Sequence, residues 1–270
     1  MSINAATQPI NVHRFGNPDA PPLVLVHGLT EDGTAWPDAV FRWAFHWDIH
    51  AVDLRGHGLS PRFTEEDVAS SNQLWLEDLL TILRGLPRPA VLVGHSLGGL
   101  ITLLAAVEAP ELVRAVVLED PAKTSDGPDP AFVREQQEFL SAFPDRTASE
   151  IERMRRETNW SESEILAWAN SKALVDPLMI ERALWLSEPE WESLFGRLTV
   201  PTLLVLPTDG GMGPDPDGYD NPLVERVLIA DAGHCVRRDA PGQYYAVVEE
   251  FLARHRVTVQ EPITSSNPDV

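Results

Sequence analysis

The feature that most restricts this chain is a series of short apolar runs, each closed by turn residues: "LVLVHG" at 23–28, "DIHAVDL" at 48–54, "AVLVGHS" at 90–96, "RAVVLED" at 114–120, "TLLVL" at 202–206 and "VERVLIA" at 224–230. Apolar residues at consecutive positions mark strands covered on both faces, the condition of a parallel sheet. Between them, "QLWLEDLLTILRGL" (73–86) and "LGGLITLLAAVEA" (97–109) repeat their apolar residues at helical spacing. Strands alternating with helices predict an α/β fold, a doubly wound and mostly parallel sheet. A length of 270 residues suits one such domain with an inserted subdomain.

The alternation lapses between 121 and 198, where "DPAFVREQQEFLSAF", "TASEIERMRRETNW", "SESEILAWANSKALV" and "DPLMIERALWLSEPEWESLF" read as consecutive helices. Several open on Ser, Thr or Asp, residues that cap a first turn. The expected organisation is a core of 1–120 and 199–258, a helical cap at 121–198 and a flexible polar tail at 259–270. Trp160, Trp168, Trp185 and Trp191 fall in the cap; aromatic residues at helical spacing usually serve packing, and a substrate wall is the alternative role.

Acidic residues outnumber basic ones 41 to 21, for a formal charge of −20, a field that repels phosphate backbones and anionic lipid surfaces. Nucleic-acid and membrane partners are therefore not expected. The single cysteine, Cys235, excludes an internal disulfide and a multi-thiolate metal site. HExxH and glycine-rich nucleotide-binding patterns do not occur, so neither metal nor cofactor is implied. Without a basic-then-apolar leader or an unbroken apolar span, the expected location is cytoplasmic.

The chemistry concentrates at "VLVGHSLGGL" (91–100), which sets Ser96 between Gly94 and Gly98 where a strand turns into a helix. A serine hydroxyl is a weak nucleophile; it becomes useful when held in the open, beside a base and near donors aimed at a developing oxyanion. A strained strand-to-helix turn lifts the hydroxyl above the sheet, and only small neighbours two positions either side allow that turn. The helix N-terminus adds the Leu97 N–H and the positive end of the dipole. Upstream, Leu29 follows "HG" at 27–28 and offers a second donor; downstream, "LIADAGHCVRRDAP" carries His234 after the last strand, where it can act as general base.

With "HG" at 27–28, "DLRGHGLS" at 53–60, "GHSLGG" at 94–99 and "AGH" at 232–234 in this order, the chain resembles the α/β-hydrolase fold superfamily over residues 10 to 257. The resemblance implies Ser96 as nucleophile, His234 as base, the N–H groups of Leu29 and Leu97 as oxyanion hole, and a helical cap. The acid departs from the family's usual pattern. After the family's seventh strand a Gly is commonly followed three residues later by Asp; here "PTLLVLPTDGGMG" has Pro207 at the glycine position and Gly210 at the acid position, with Asp209 one residue off. Some members carry the acid after the sixth strand, where Glu119 falls. Glu119 is the favoured acid, Asp209 the alternative, and Asp120 is also open.

These features imply a serine esterase or lactonase acting on a small, uncharged and largely apolar molecule through an acyl-enzyme. Two rivals remain: carbon–carbon bond hydrolysis or perhydrolase-like chemistry on the same triad, and a small-molecule receptor that retains the scaffold.

Overall fold

The computed structural model describes residues 9–123, 129–184 and 190–256. Seven strands form one sheet in the order β1-β3-β2-β4-β5-β6-β7: β1 (Val12–Gly16), β2 (Pro22–Val26), β3 (Asp48–Val52), β4 (Ala90–His95), β5 (Val113–Glu119), β6 (Thr202–Pro207) and β7 (Val224–Ile229). All six apolar runs become strands, and they pair in parallel from β3 through β7. The sequence reading did not anticipate β1, which pairs antiparallel with β3. Its "VHRFG" is an edge strand with both faces partly exposed, so it lacks a continuous apolar run.

Period-two alternation divides the core into two layers. Val24, Val26 and Leu92 face a cluster shared with α2 (Ser71–Arg84), α3 (Leu97–Glu108) and α6 (Trp191–Arg197). Leu23, Leu25, Val91 and Val93 face the opposite cluster, closed by α1 (Pro37–Trp43) and α8 (Pro241–His255). Covering both faces is what lets β2 be buried at all five of its positions.

Between β5 and β6 the chain is helical. The two helices expected around Pro144 are one helix, α4 (Pro130–Glu157), with the proline inside it. Pro144 removes one backbone donor, and the helix continues with Thr147 Oγ1 donating to the Phe143 carbonyl at 2.9 Å. The Asp129 side chain caps α4 and that of Ser161 caps α5 (Glu162–Ser171). A 3-10 turn (Lys172–Leu174) and a π-helical turn (Met179–Ala183) follow. Trp185 and the tail at 259–270 lie outside the described residues. Among the described residues no helix is long and apolar enough to cross a membrane.

The "DLRGHGLS" segment is loop architecture built on Asp53, whose carboxylate accepts from Asn11 Nδ2 at 2.7 Å, the Gly33 N–H at 2.7 Å and the Leu59 N–H at 2.8 Å. Gly58 has φ +52°, and a Cβ there would stand 2.3 Å from Asp53 Oδ2. Arg55 is bidentate to Asp78 at 2.9 Å, and Trp75 Nε1 donates to the Arg55 carbonyl at 3.0 Å. Asp53→Asn turns an amide nitrogen toward backbone donors, and equilibrium denaturation should record a loss of about 1–3 kcal/mol.

Candidate active site

Ser96 sits between β4 and α3 with φ +52° and ψ −116°, a left-handed-side conformation that non-glycine residues rarely hold. Its backbone is fixed on both sides: the N–H donates to the Glu119 carbonyl at 3.0 Å, and its carbonyl accepts from Leu100 at 3.0 Å and Ala122 at 2.9 Å. Close packing explains the glycines. A Cβ on Gly94 would come within 2.4 Å of the Gly98 carbonyl oxygen, and one on Gly98 within 2.1 Å of that of Val26.

Leu97 begins α3, so its N–H is one of the first-turn donors with no intrahelical acceptor. The "HG" loop lies against the same turn, since a Cβ on Gly28 would stand 3.3 Å from Ser96 Cβ. Leu29, Leu97, Ser96 and His234 all line one cavity of about 610 Å³. His234 lies in the turn after β7. Its ring packs 4.8 Å from that of His95, whose Nε2–H donates to the His234 carbonyl at 3.1 Å.

Neither Glu119, the acid favoured from the sequence, nor its alternative Asp209 is the carboxylate that meets His234. His234 Nδ1 meets Asp120 Oδ2 at 2.6 Å. Glu119 turns away from the cavity and accepts the Arg237 backbone N–H at 2.6 Å. Asp209 is exposed, and its loop instead supports Asp120: the Met212 N–H donates to Asp120 Oδ1 at 2.7 Å. Adjacent residues at a strand end face opposite ways, and Asp120 continues the turn with φ +36°.

The tryptophans divide. Trp168 lines the cavity. Trp191 is a core residue, 3% exposed, packed on Phe195. Trp160 is absent from the cavity wall; it covers the Arg238 guanidinium at 4.8 Å and donates Nε1–H to Asp239 at 2.7 Å.

Residues 23–247 match the alpha/beta hydrolase family. The chain belongs to that family. Lipase LipV of Mycobacterium tuberculosis is 35% identical over 179 residues, 65% of this chain and 60% of that protein. The pimeloyl-[acyl-carrier protein] methyl ester esterase of Aeromonas salmonicida is 35% identical over 40% of each chain. The match thus spans less than two thirds of either curated relative. The solved enol-lactonase of Burkholderia xenovorans LB400 shares the fold, with a TM-score of 0.71, 18% identity, and coverage of 90% of this chain and 96% of that one.

In this alpha/beta hydrolase the charges around the cavity are strongly perturbed. Burial pulls the His234 pKa down, but the hydrogen bond and charge of Asp120, with the charges of Glu119 and Glu31, outweigh it and raise the value above the ordinary 6.5. Burial drives His95 well below the same value, so its ring is neutral. Burial pushes the Cys235 thiol up to about 12, so it stays protonated and weakly reactive. Lys172, which the sequence reading did not single out, also lines the cavity and is pushed down to about 8 by burial. Glu31, Glu164, Arg237 and Arg238 were likewise missed.

Burial raises the Glu119 carboxyl to about 7 against the opposing pull of Arg237. An acid whose pKa is higher folded than unfolded stabilises the fold below its ordinary value, near 4.5, and loses that contribution as pH rises toward 7. Glu119→Gln, which keeps the acceptor for Arg237, should flatten the decline of stability between pH 4.5 and 7 when denaturation midpoints are compared across pH.

Proposed function

We propose that this chain is a serine hydrolase that cleaves a carboxylic ester or lactone of a small molecule through an acyl-enzyme. One observation carries the reading: the hydrogen bond that His234 Nδ1–H donates to Asp120 in the cavity that also holds the strained Ser96 turn and the first N–H groups of α3. Ser96 Oγ attacks the carbonyl carbon as His234 Nε2 takes its proton. The Leu29 and Leu97 N–H groups receive the oxyanion, and His234 returns the proton to the departing alkoxide. Water then repeats the sequence and releases the acid. Asp120 keeps Nδ1 protonated, so that Nε2 is the free base, and stabilises the imidazolium.

The relatives support an ester bond: a lipase and a methyl ester esterase are among the curated matches, and an enol-lactonase shares the fold. Leu29, Leu97, Phe132, Trp168, Leu184 and Met212 give the cavity mostly apolar walls, which suits an uncharged, largely apolar acyl or alcohol group. The helices between β5 and β6 act as a cap over this cavity, since Phe132, Gln136, Trp168 and Lys172 all reach its wall.

The test is hydrolysis of p-nitrophenyl esters of rising chain length and a set of lactones. Ser96→Ala should bring turnover to background with folding intact. Asp120→Asn should lower kcat about 10⁴-fold by favouring the wrong tautomer, whereas Asp209→Asn should not. Equal losses in the two variants would remove Asp120 from its role. The kcat/KM profile should rise with pH through a value above 6.5, because the base must be neutral, and Asp120→Asn should shift that limb down.

A further inference from the structure

A buried lattice of charge joins the cap to both loops that carry the proposed catalytic groups. Glu164, on α5, accepts from Arg237 Nη1 and from Arg238 Nε, each at 2.7 Å. These arginines form α7 (Val236–Asp239) and follow His234 by three and four residues. Arg238 continues to Glu31, two residues beyond Leu29, and both guanidinium groups donate to the Ala35 carbonyl, at 3.2 and 3.1 Å. The backbone of Arg237 binds Glu119 at 2.6 Å, beside Asp120. Glu31, Glu164, Arg237 and Arg238 are each under 5% exposed.

The same helix grips the oxyanion loop a second time. Lys172 Nζ, in the turn that follows α5, donates to the Thr30 carbonyl at 2.9 Å, and Ser171 Oγ, which also reaches the Trp168 carbonyl at 2.9 Å, stands 3.2 Å from the same Thr30 oxygen. Thr30 holds φ +63°, a conformation a β-branched residue keeps only when its surroundings over-determine it. Both cap donors act on the residue directly after Leu29.

Stability alone is a weak account of such a lattice, because buried ion pairs are often replaceable by apolar residues without loss. What the lattice fixes is relative position. We propose that Glu164 is a positioning residue: through Arg238 and Glu31 it sets the oxyanion loop, and through Arg237 it sets the segment that carries His234. Ser171 shares the first task through Thr30. The cap thereby orders the catalytic groups as well as enclosing the substrate. This rests on the ester-hydrolase reading above.

The test uses the full-length protein and the fastest p-nitrophenyl ester. Glu164→Gln keeps the side chain's shape but removes the charge that compensates two arginines. Its kcat should fall about 10- to 100-fold with KM changed far less, as expected when groups are displaced by a fraction of an ångström. Affinity for an arylboronic acid, which mimics the tetrahedral intermediate, should weaken in parallel. Ser171→Ala, which removes a single donor from Thr30, should show the same split more weakly, and it carries the test if Glu164→Gln does not fold. Glu162→Gln, on the same helix but paired with Arg155 at the surface, should leave both constants unchanged. If folded Glu164→Gln or Ser171→Ala keeps wild-type kcat and boronate affinity, or loses them only as Glu162→Gln does, the positioning role is overturned. If instead wild type and Ser96→Ala hydrolyse the esters equally, the underlying hydrolase reading fails first.

Discussion

The first turn of α3 presses directly on the backbone of β2. A Cβ on Gly98 would come within 2.1 Å of the Val26 carbonyl oxygen and 2.5 Å of that of His27, so two main chains meet with no side chain between them. This contact brings the end of β2 and the start of α3 to one point at the carboxyl edge of the sheet. Leu29 and Leu97 then border the same cavity, and Ser96 must complete its turn in a conformation that costs of order 1–3 kcal/mol. The three backbone hydrogen bonds on Ser96 hold that strain in place.

From this edge outward, burial and charge decide what each group can do. Glu119 and Asp120 are neighbours in sequence, both about 1% exposed, yet they live in different environments. Asp120 meets an imidazole and a backbone donor. Glu119 has one oxygen on the Arg237 N–H and the other 3.7 Å from the Arg237 guanidinium, with burial dominating its titration. The two carboxyl groups therefore leave the strand end in different directions, and only that of Asp120 meets the imidazole.

How far the molecule can be read from its residues follows from the same physics. Strands β2 to β6 announce themselves as largely apolar runs because both sheet faces are covered, whereas the edge strand β7, with Glu225 and Arg226, shows only a short apolar end. β1 does not, being an edge strand of mixed polarity. The elbow is legible because its glycines and serine have few other uses at that spacing. The carboxylate that meets His234 is not, because period-two geometry makes the choice between 119 and 120 depend on where β5 ends and on the turn at Asp120. The "TDGGMG" loop misled for a related reason: it contributes a backbone N–H from Met212 where a carboxylate was sought. The ion lattice was invisible for another reason, since its members come from four separated segments and ion pairs leave no local pattern.

The helical segment between β5 and β6 is anchored unevenly. Helix α5 is tied down by buried ion pairs, whereas α4, some 42 Å long at 1.5 Å per residue, buries only Phe143 and Met154 fully. Its first turns supply Asp129, Phe132 and Gln136 to the cavity wall, and Pro144 interrupts its hydrogen-bond ladder midway. Sparse apolar contact makes a segment cheap to displace. The wall that α4 supplies to the cavity is therefore the side most readily displaced, whereas the α5 side is pinned by charge.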